Sequence, residues 1–310
     1  MVENLQLGEA VEHRGIVLTP LFPRRDPVAE YLTLDEALPQ GLRISEVDEA
    51  GSVPELVVKT PLNARVLLYD GEELVGAKQN RILNVSVRVE AKTSLRIPVS
   101  CVEQGRWSSV SASFTPGSHV SHARLRRLKA EAQAARPFAL EISQSVVWNE
   151  LHERVAEMSV DSPTGASSDL YRARTRELHV LEEAFPAQPG QCGAILGLGS
   201  DLCADLVSRP DAFARMWPKL RAGYLLDALG RLDGEATPAA GVEAFVGAVD
   251  ASLATRQASV GLGEDVRLRG QRVISSGLEL DGELIQLSAF RSDDGGRRAF
   301  GRIVRPSRRH

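Results

Sequence analysis

Cysteine is scarce: Cys101, Cys192 and Cys203 are the whole complement of a 310-residue chain. An odd count without a CxxC excludes a disulfide scaffold, and the Cys192 to Cys203 spacing is not that of zinc ligands. Excess charge of one sign is lacking as well. Against 41 acidic residues stand 37 basic ones, a net −4. That balance argues against general nucleic-acid or membrane-surface binding. Long apolar runs are missing, and none approaches the ~20 residues a membrane helix needs. The opening Met1-Val2-Glu3-Asn4 has neither the basic nor the apolar region of a secretory signal. Lysine is rare, five residues against 32 arginines. Together these absences predict a cytoplasmic protein with reduced thiols.

What is present is ordinary globular composition, 43% apolar and 25% charged. A chain of this length can bury a large core. Residues 1–116 read as mostly strand. Ile16–Leu21 is a short apolar run bounded by prolines, and Thr33-Leu-Asp-Glu36 is a capping box opening a short helix. Extended stretches are expected at 42–47, 54–60, 64–70, 80–89, 93–102 and 107–114. In 93–102, Leu95, Ile97, Val99 and Cys101 alternate, so they share one buried face. Residues 117–190 turn helical, with a helix from His119 to Ala135 and a stripe at Val147, Leu151, Val155 and Met158. Residues 191–291 mix both. Phe213, Met216, Trp217, Leu220 and Tyr224 mark a helix that Ser208-Arg-Pro-Asp211 should cap and Pro218 should kink. A helix with Val242, Phe245, Val249 and Leu253 inward follows, then strands at 258–262, 265–269, 272–280 and 284–290. Asp281-Gly282 makes a hairpin turn between the last two. From Arg291 to Arg309 seven arginines accumulate, a basic tail at 292–310 expected to be mobile. The fold class is α+β: a β-rich N-terminal half, sheet or sandwich, then a helical middle. A mixed C-terminal part ends in antiparallel strands and packs back on the first region.

Two polar clusters stand out. The first is Asp70-Gly-Glu-Glu-Leu-Val-Gly-Ala-Lys-Gln-Asn-Arg81. A solvated turn would account for it. Yet Lys78, Gln79, Asn80 and Arg81 set two cations beside two amides directly before a strand, which suits an anionic or nucleotide-like ligand. The second is Pro98-Val-Ser-Cys-Val-Glu-Gln-Gly-Arg-Trp107. Cys101 is either a buried small hydrophobe or a nucleophile. Glu103 close by would make the thiol less reactive unless Arg81 or Arg106 offsets it. Glu103 and Arg106 could instead form a structural ion pair. Trp107 is a packing aromatic or a stacking platform. Ser118-His-Val-Ser-His122 is an HxxH without further ligands, so a pair of surface histidines at a helix start is the default. Gly197-Leu-Gly199 and Gly261-Leu-Gly263 both lack the third glycine of a dinucleotide fingerprint.

On these residues the chain resembles the bacterial ARG and rhodanese-phosphatase-superfamily-associated protein domain, where ARG stands for ADP-ribosylglycohydrolase. The carrying segments are Thr33-Leu-Asp-Glu-Ala37, Gly71-Glu72, Gly76-Ala-Lys-Gln-Asn-Arg81, Val99-Ser-Cys-Val-Glu103 and Gly105-Arg-Trp107. Asp211-Ala-Phe213, Trp217-Pro-Lys-Leu220 and Tyr224 join them in the C-terminal half, so the likeness covers most of 30–290. It implies association with ADP-ribose and phosphatase chemistry, and no established reaction. The expectation is a ligand-binding protein or enzyme for an ADP-ribose-like or other phosphate-bearing small molecule. Glu72, Glu103 and Cys101 are the catalytic candidates. Lys78, Gln79, Asn80, Arg81, Arg106 and Trp107 are the binding candidates. No metal, cofactor, membrane or nucleic acid is expected, and homo-oligomerisation stays open. The alternative is a non-enzymatic scaffold in which the same cluster is a structural ion-pair network.

Overall fold

The computed structural model describes residues 4–48, 51–136, 140 and 142–292. The chain opens with β1 (Leu5–Leu7), β2 (Val11–His13), β3 (Ile16–Pro23) and β4 (Leu32–Thr33), followed by α1 (Leu34–Ala37). Thr33 and Glu36 form the expected capping box on α1. Then come β5 (Arg43–Glu46), β6 (Glu55–Lys59), β7 (Val66–Leu68), β8 (Glu72–Gly76), β9 (Arg81–Leu83), β10 (Val87–Val89), β11 (Ser94–Cys101) and β12 (Phe114–Val120). Helices α2 (Ala123–Ala134), α3 (Gln144–Glu157), α4 (Ser167–Ala173) and α5 (Thr175–Glu182) make the middle. The last part runs β13 (Gly193–Leu198), β14 (Asp201–Val207), α6 (Pro210–Ala228), α7 (Ala239–Asp250), β15 (Leu253–Ala258), β16 (Glu264–Gly270), β17 (Val273–Leu280) and β18 (Glu283–Arg291). The class is α+β.

Three sheets form among the described residues. The nine-stranded sheet runs β1-β3-β13-β14-β18-β17-β16-β15, with β2 also on β3. The C-terminal strands join the N-terminal β3 through β13, Gly193 facing Leu21 and Leu198 facing Ile16. The other two sheets are β12-β8-β9-β11-β6-β5 and β10-β7-β4. Every pairing is antiparallel except β4 with β7. β13 is buried on both faces. Ala194, Leu196 and Leu198 join the core under α6, while Ile195 joins the core under α7. This explains why β13 reads as one continuous apolar run instead of alternating. A third core, with Ile97, Val99 and Leu83, fills the space at the two smaller sheets. No helix among the described residues is long and apolar enough to cross a membrane.

Several local expectations are corrected. The polar stretch after Asp70 is not one long turn: Glu72–Gly76 is a buried strand between β9 and β12. The expected strand 80–89 breaks in the middle, and its second piece, β10, pairs with β7 in another sheet. Asn84 and Ser86 make the break, their side chains accepting from Ser100 Oγ at 2.8 Å and from the Asp70 N–H at 2.9 Å. The extended run expected at 107–114 begins only at Phe114. The helix expected from His119 starts at Ala123, and His119 lies in β12. Ser208 does not cap α6, because its hydroxyl meets Tyr31 Oη at 2.8 Å. Leu253 is 81% exposed on β15 and does not extend the α7 stripe. The strand expected at 258–262 is instead the turn between β15 and β16. The basic tail lies outside the described residues.

Candidate functional site

β9 and β11 are neighbours, with Arg81 directly opposite Cys101. One residue further on, the Val102 N–H donates to the Asn80 carbonyl at 3.0 Å. A strand pair that returns the chain to its starting end thus brings 77–81 beside 101–107. Gly76 lets this corner close. Its φ is +128°, and a Cβ there would lie 2.5 Å from Ser111 Oγ.

Arg81 is fully buried. Its Nη1 donates to Gln79 Oε1 at 3.0 Å and to Cys101 Sγ at 2.7 Å. Nη2 stands 3.8 Å from Glu46 Oε1, and both Nε and Nη2 have no hydrogen-bond partner. Trp107 lies over this guanidinium, its ring centroid 5.6 Å from Arg81 Cζ and equally 5.6 Å from Lys78 Nζ. Trp107 is 50% exposed, so packing does not account for it. Burial pushes the Cys101 thiol above its ordinary value although Arg81 pulls the other way. A thiol held protonated is a poor nucleophile.

Glu103 belongs to a second knot at the same corner. Its Oε2 accepts from Arg106 Nη2 at 2.6 Å and from the Asn80 N–H at 3.2 Å, and its Oε1 accepts from Thr164 Oγ1 at 3.2 Å. Burial alone would raise this carboxyl, but the Arg106 bond and its companions outweigh it and hold it low. Arg106 also donates to the carbonyls of Ala77, Ser108 and Gly76 and to Asn80 Oδ1. The structure therefore gathers Lys78, Gln79, Asn80, Arg81, Cys101, Glu103, Arg106 and Trp107.

Glu72 stands apart from them. It points across the sheet to Lys219 Nζ at 2.8 Å, and Lys219 also meets Asp35 at 2.6 Å. This triad joins β8, α1 and α6.

The neighbouring Glu73, not anticipated from sequence, faces the Glu103 side. It is 1% exposed and 3.1 Å from His119 Nε2. Burial, and then the carboxylates of Glu103 and Asp169, push Glu73 up to about 8. Burial, then His122 and Lys219, push His119 down to about 3. Tyr171 stacks on the His119 ring, centroids 3.5 Å apart. The two histidines of the HxxH are thus buried, not on the surface, and His122 has a different partner, Glu150 at 3.0 Å. Strand alternation is the signal for Glu73: in a buried strand, consecutive glutamates must face opposite sides. No sequence spacing points to Tyr171, which comes from a helix.

Among the described residues, no group of three or more His, Cys, Asp or Glu is arranged to hold a metal ion. No curated protein and no solved structure matches the chain. Residues 4–290 match the family model of the ARG and rhodanese-phosphatase-superfamily-associated protein domain, and the chain belongs to that family.

Proposed function

We propose that the protein binds a phosphate-bearing, nucleotide-like small molecule of the ADP-ribose kind at the Arg81–Trp107 cluster. The observation that carries this reading is the Arg81 guanidinium, buried with Nε and Nη2 making no hydrogen bond and only the Glu46 carboxylate, 3.8 Å from Nη2, as counter-charge. Those two donors form one edge of the group, the edge that holds phosphate or carboxylate through parallel hydrogen bonds. Arginine keeps its charge in a protein. An unfilled edge is therefore costly in the empty protein, and a bound anion offsets the cost. Trp107 adds a half-exposed ring on which a base can stack. The family's association with ARG and rhodanese-phosphatase superfamily proteins is compatible with such a ligand. Cys101 and Glu103 support binding more than catalysis, one a protonated thiol and the other a carboxylate already engaged. Chemistry at the site would draw on Glu103 as base and on Glu73 as its neutral acid partner, two carboxyls whose surroundings push them apart.

A scaffold reading has its own support in Arg106, whose Nη1 and Nη2 donate to the protein's own acceptors. Calorimetric titration of ADP-ribose, AMP and inorganic phosphate separates the two. The ligand site predicts binding by wild type and at least a tenfold loss in Arg81→Met and Trp107→Ala, with melting temperatures unchanged or higher. Absence of binding by wild type, together with destabilised variants, leaves the scaffold reading alone.

A further inference from the structure

A cavity of about 810 Å³ lies between the 23–30 segment, β10 and the β17–β18 turn, and none of the residues of the cluster above lines it. Arg88 of β10 lines it. This residue is 1% exposed. Its Nη2 donates to the Glu30 carbonyl at 2.7 Å, while Nε and Nη1 have no partner. Burial lowers its pKa, and the positive charge of Arg65, also on the cavity wall, lowers it further. A buried arginine cannot escape this cost by losing its proton, so it calls for a counter-anion.

The carboxylates around the cavity are largely committed elsewhere. Glu283 accepts the N–H groups of Val28 and Ala29 at 3.1 and 3.0 Å. Glu279 faces Arg256 at 2.8 Å, and Glu30 pairs with Arg209 at 3.2 Å. Asp26 and Asp281 also line the cavity but are exposed. Arg25 and Arg65 are exposed on the same wall, Arg65 with its Nε on Glu90 at 3.2 Å. Arg88 is held from behind: the Leu262 N–H donates to its carbonyl at 2.8 Å, and a Cβ on Gly261 would lie 2.2 Å from that oxygen. The Gly261-Leu-Gly263 stretch, which fails as a phosphate loop, fixes the backbone of this arginine.

We propose that this cavity is a second ligand site, taking the phosphate group of a small molecule with Arg88 as anchor and Arg65 as second cation. The volume falls within the ~300–1,000 Å³ of small-molecule pockets, so the phosphate carries an organic body. The proposal does not rest on the reading of the Arg81 cluster.

The test is thermal unfolding of the full chain in chloride buffer of fixed ionic strength, with and without inorganic phosphate or glycerol 2-phosphate. Wild type should melt at least about 3 °C higher with either anion, a shift of the size ~1 kcal/mol of binding gives. A larger shift with glycerol 2-phosphate supports a phosphomonoester, and equal shifts assign free phosphate and overturn the organic body. A shift should persist in Arg81→Met, where only this cavity can give it, and should vanish when Arg88→Met is added to that variant. Arg88→Met should also be the more stable protein without anion. If Arg88→Met does not fold, Arg65→Ala, exposed on the wall, should at least halve the shift of Arg81→Met. A wild type indifferent to both anions overturns the proposal. So does a shift lost in Arg81→Met, or one kept in full there when Arg88→Met is added, or Arg65→Ala where that is the variant measured.

Discussion

Glu72 and Glu73 are adjacent in the chain and lie in opposite settings. Glu72 shares Lys219 with Asp35, whereas Glu73 meets a neutral imidazole. The Glu73–His119 pair makes the pH dependence of stability a test of the local structure. Glu73 titrates near 8 in the fold against 4.5 in the open chain, so its contribution is full below pH 4.5 and declines as pH rises toward 8. His119 titrates near 3 in the fold against 6.5, so its contribution is full above pH 6.5 and declines as pH falls toward 3. The sum is a plateau between the two open-chain values. On either side lies a slope of about 1.4 kcal/mol per pH unit. Urea unfolding at a series of pH values should show that plateau. Glu73→Gln should flatten the alkaline slope and His119→Asn the acid one. An unchanged profile in Glu73→Gln would mean that Glu73 is ionised in the fold. Glu103 and Arg106 behave differently, because their bond is charge-assisted and only partly shielded. Losing either alone should cost about 2–3 kcal/mol, with part recovered in Glu103→Gln/Arg106→Met, as equilibrium unfolding can measure.

At the scale of elements, apolar spacing was informative and buried charge was not. The stripe Phe213, Met216, Trp217, Leu220 and Tyr224 marks α6, and all five residues are buried. Leu95 to Cys101 marks β11, and Asp281-Gly282 marks its hairpin, both residues having positive φ. β8 was hidden, because a strand carrying Glu72 and Glu73 reads as a solvated turn. Its partners arrive from His119 and from Lys219 on α6, a distance no local pattern spans. The HxxH spacing likewise suggested a helix, since i and i+3 share a helical face. In fact His119 belongs to β12 and His122 precedes α2. Of the candidate site, the gathering of 78–81 with 101–107 rests on β9 lying beside β11, and the departure of Glu72 from it required knowing that β8 is a strand. The corner at Gly76 gives this level its own prediction. Gly76→Ala must adopt a left-handed φ and push Ser111 aside, which should cost about 1–3 kcal/mol. If nucleotide binding resides at Arg81, the same change should weaken it, because Gly76 holds one end of the loop. A variant as stable as wild type would show that the corner relaxes freely.

For the whole molecule, the decisive residue is Asp205. Its carboxylate accepts two bonds from Arg126 at 2.7 and 2.8 Å, the hydroxyls of Tyr69 and Tyr224 at 2.5 and 2.6 Å, and Ser288 Oγ at 2.6 Å. Both Asp205 and Arg126 are wholly buried. The five donors come from the β7–β8 corner, α2, α6 and β18. Beside them Lys129 of α2 reaches Asp70 at 2.7 Å and the Leu83 carbonyl at 2.6 Å. One cluster thus ties the smaller sheets to the nine-stranded sheet. Removing one partner of such a pair leaves an unpaired buried charge, which costs ~3–5 kcal/mol. Asp205→Ala should lose that much, and Asp205→Ala with Arg126→Met should recover part of it. The further consequence concerns cooperativity. Trp107 reports on the corner of the six-stranded sheet and Trp217 on α6, so single-tryptophan variants can follow the two regions separately. In wild type the two urea transitions should coincide, because the Asp205 cluster couples the regions. In Asp205→Ala they should separate, with the Trp107 transition at lower urea, since the six-stranded sheet then keeps fewer ties to the larger core. Two resolved transitions in the wild type would show instead that the N-terminal sheets unfold as a unit of their own, with the cluster only stabilising each side.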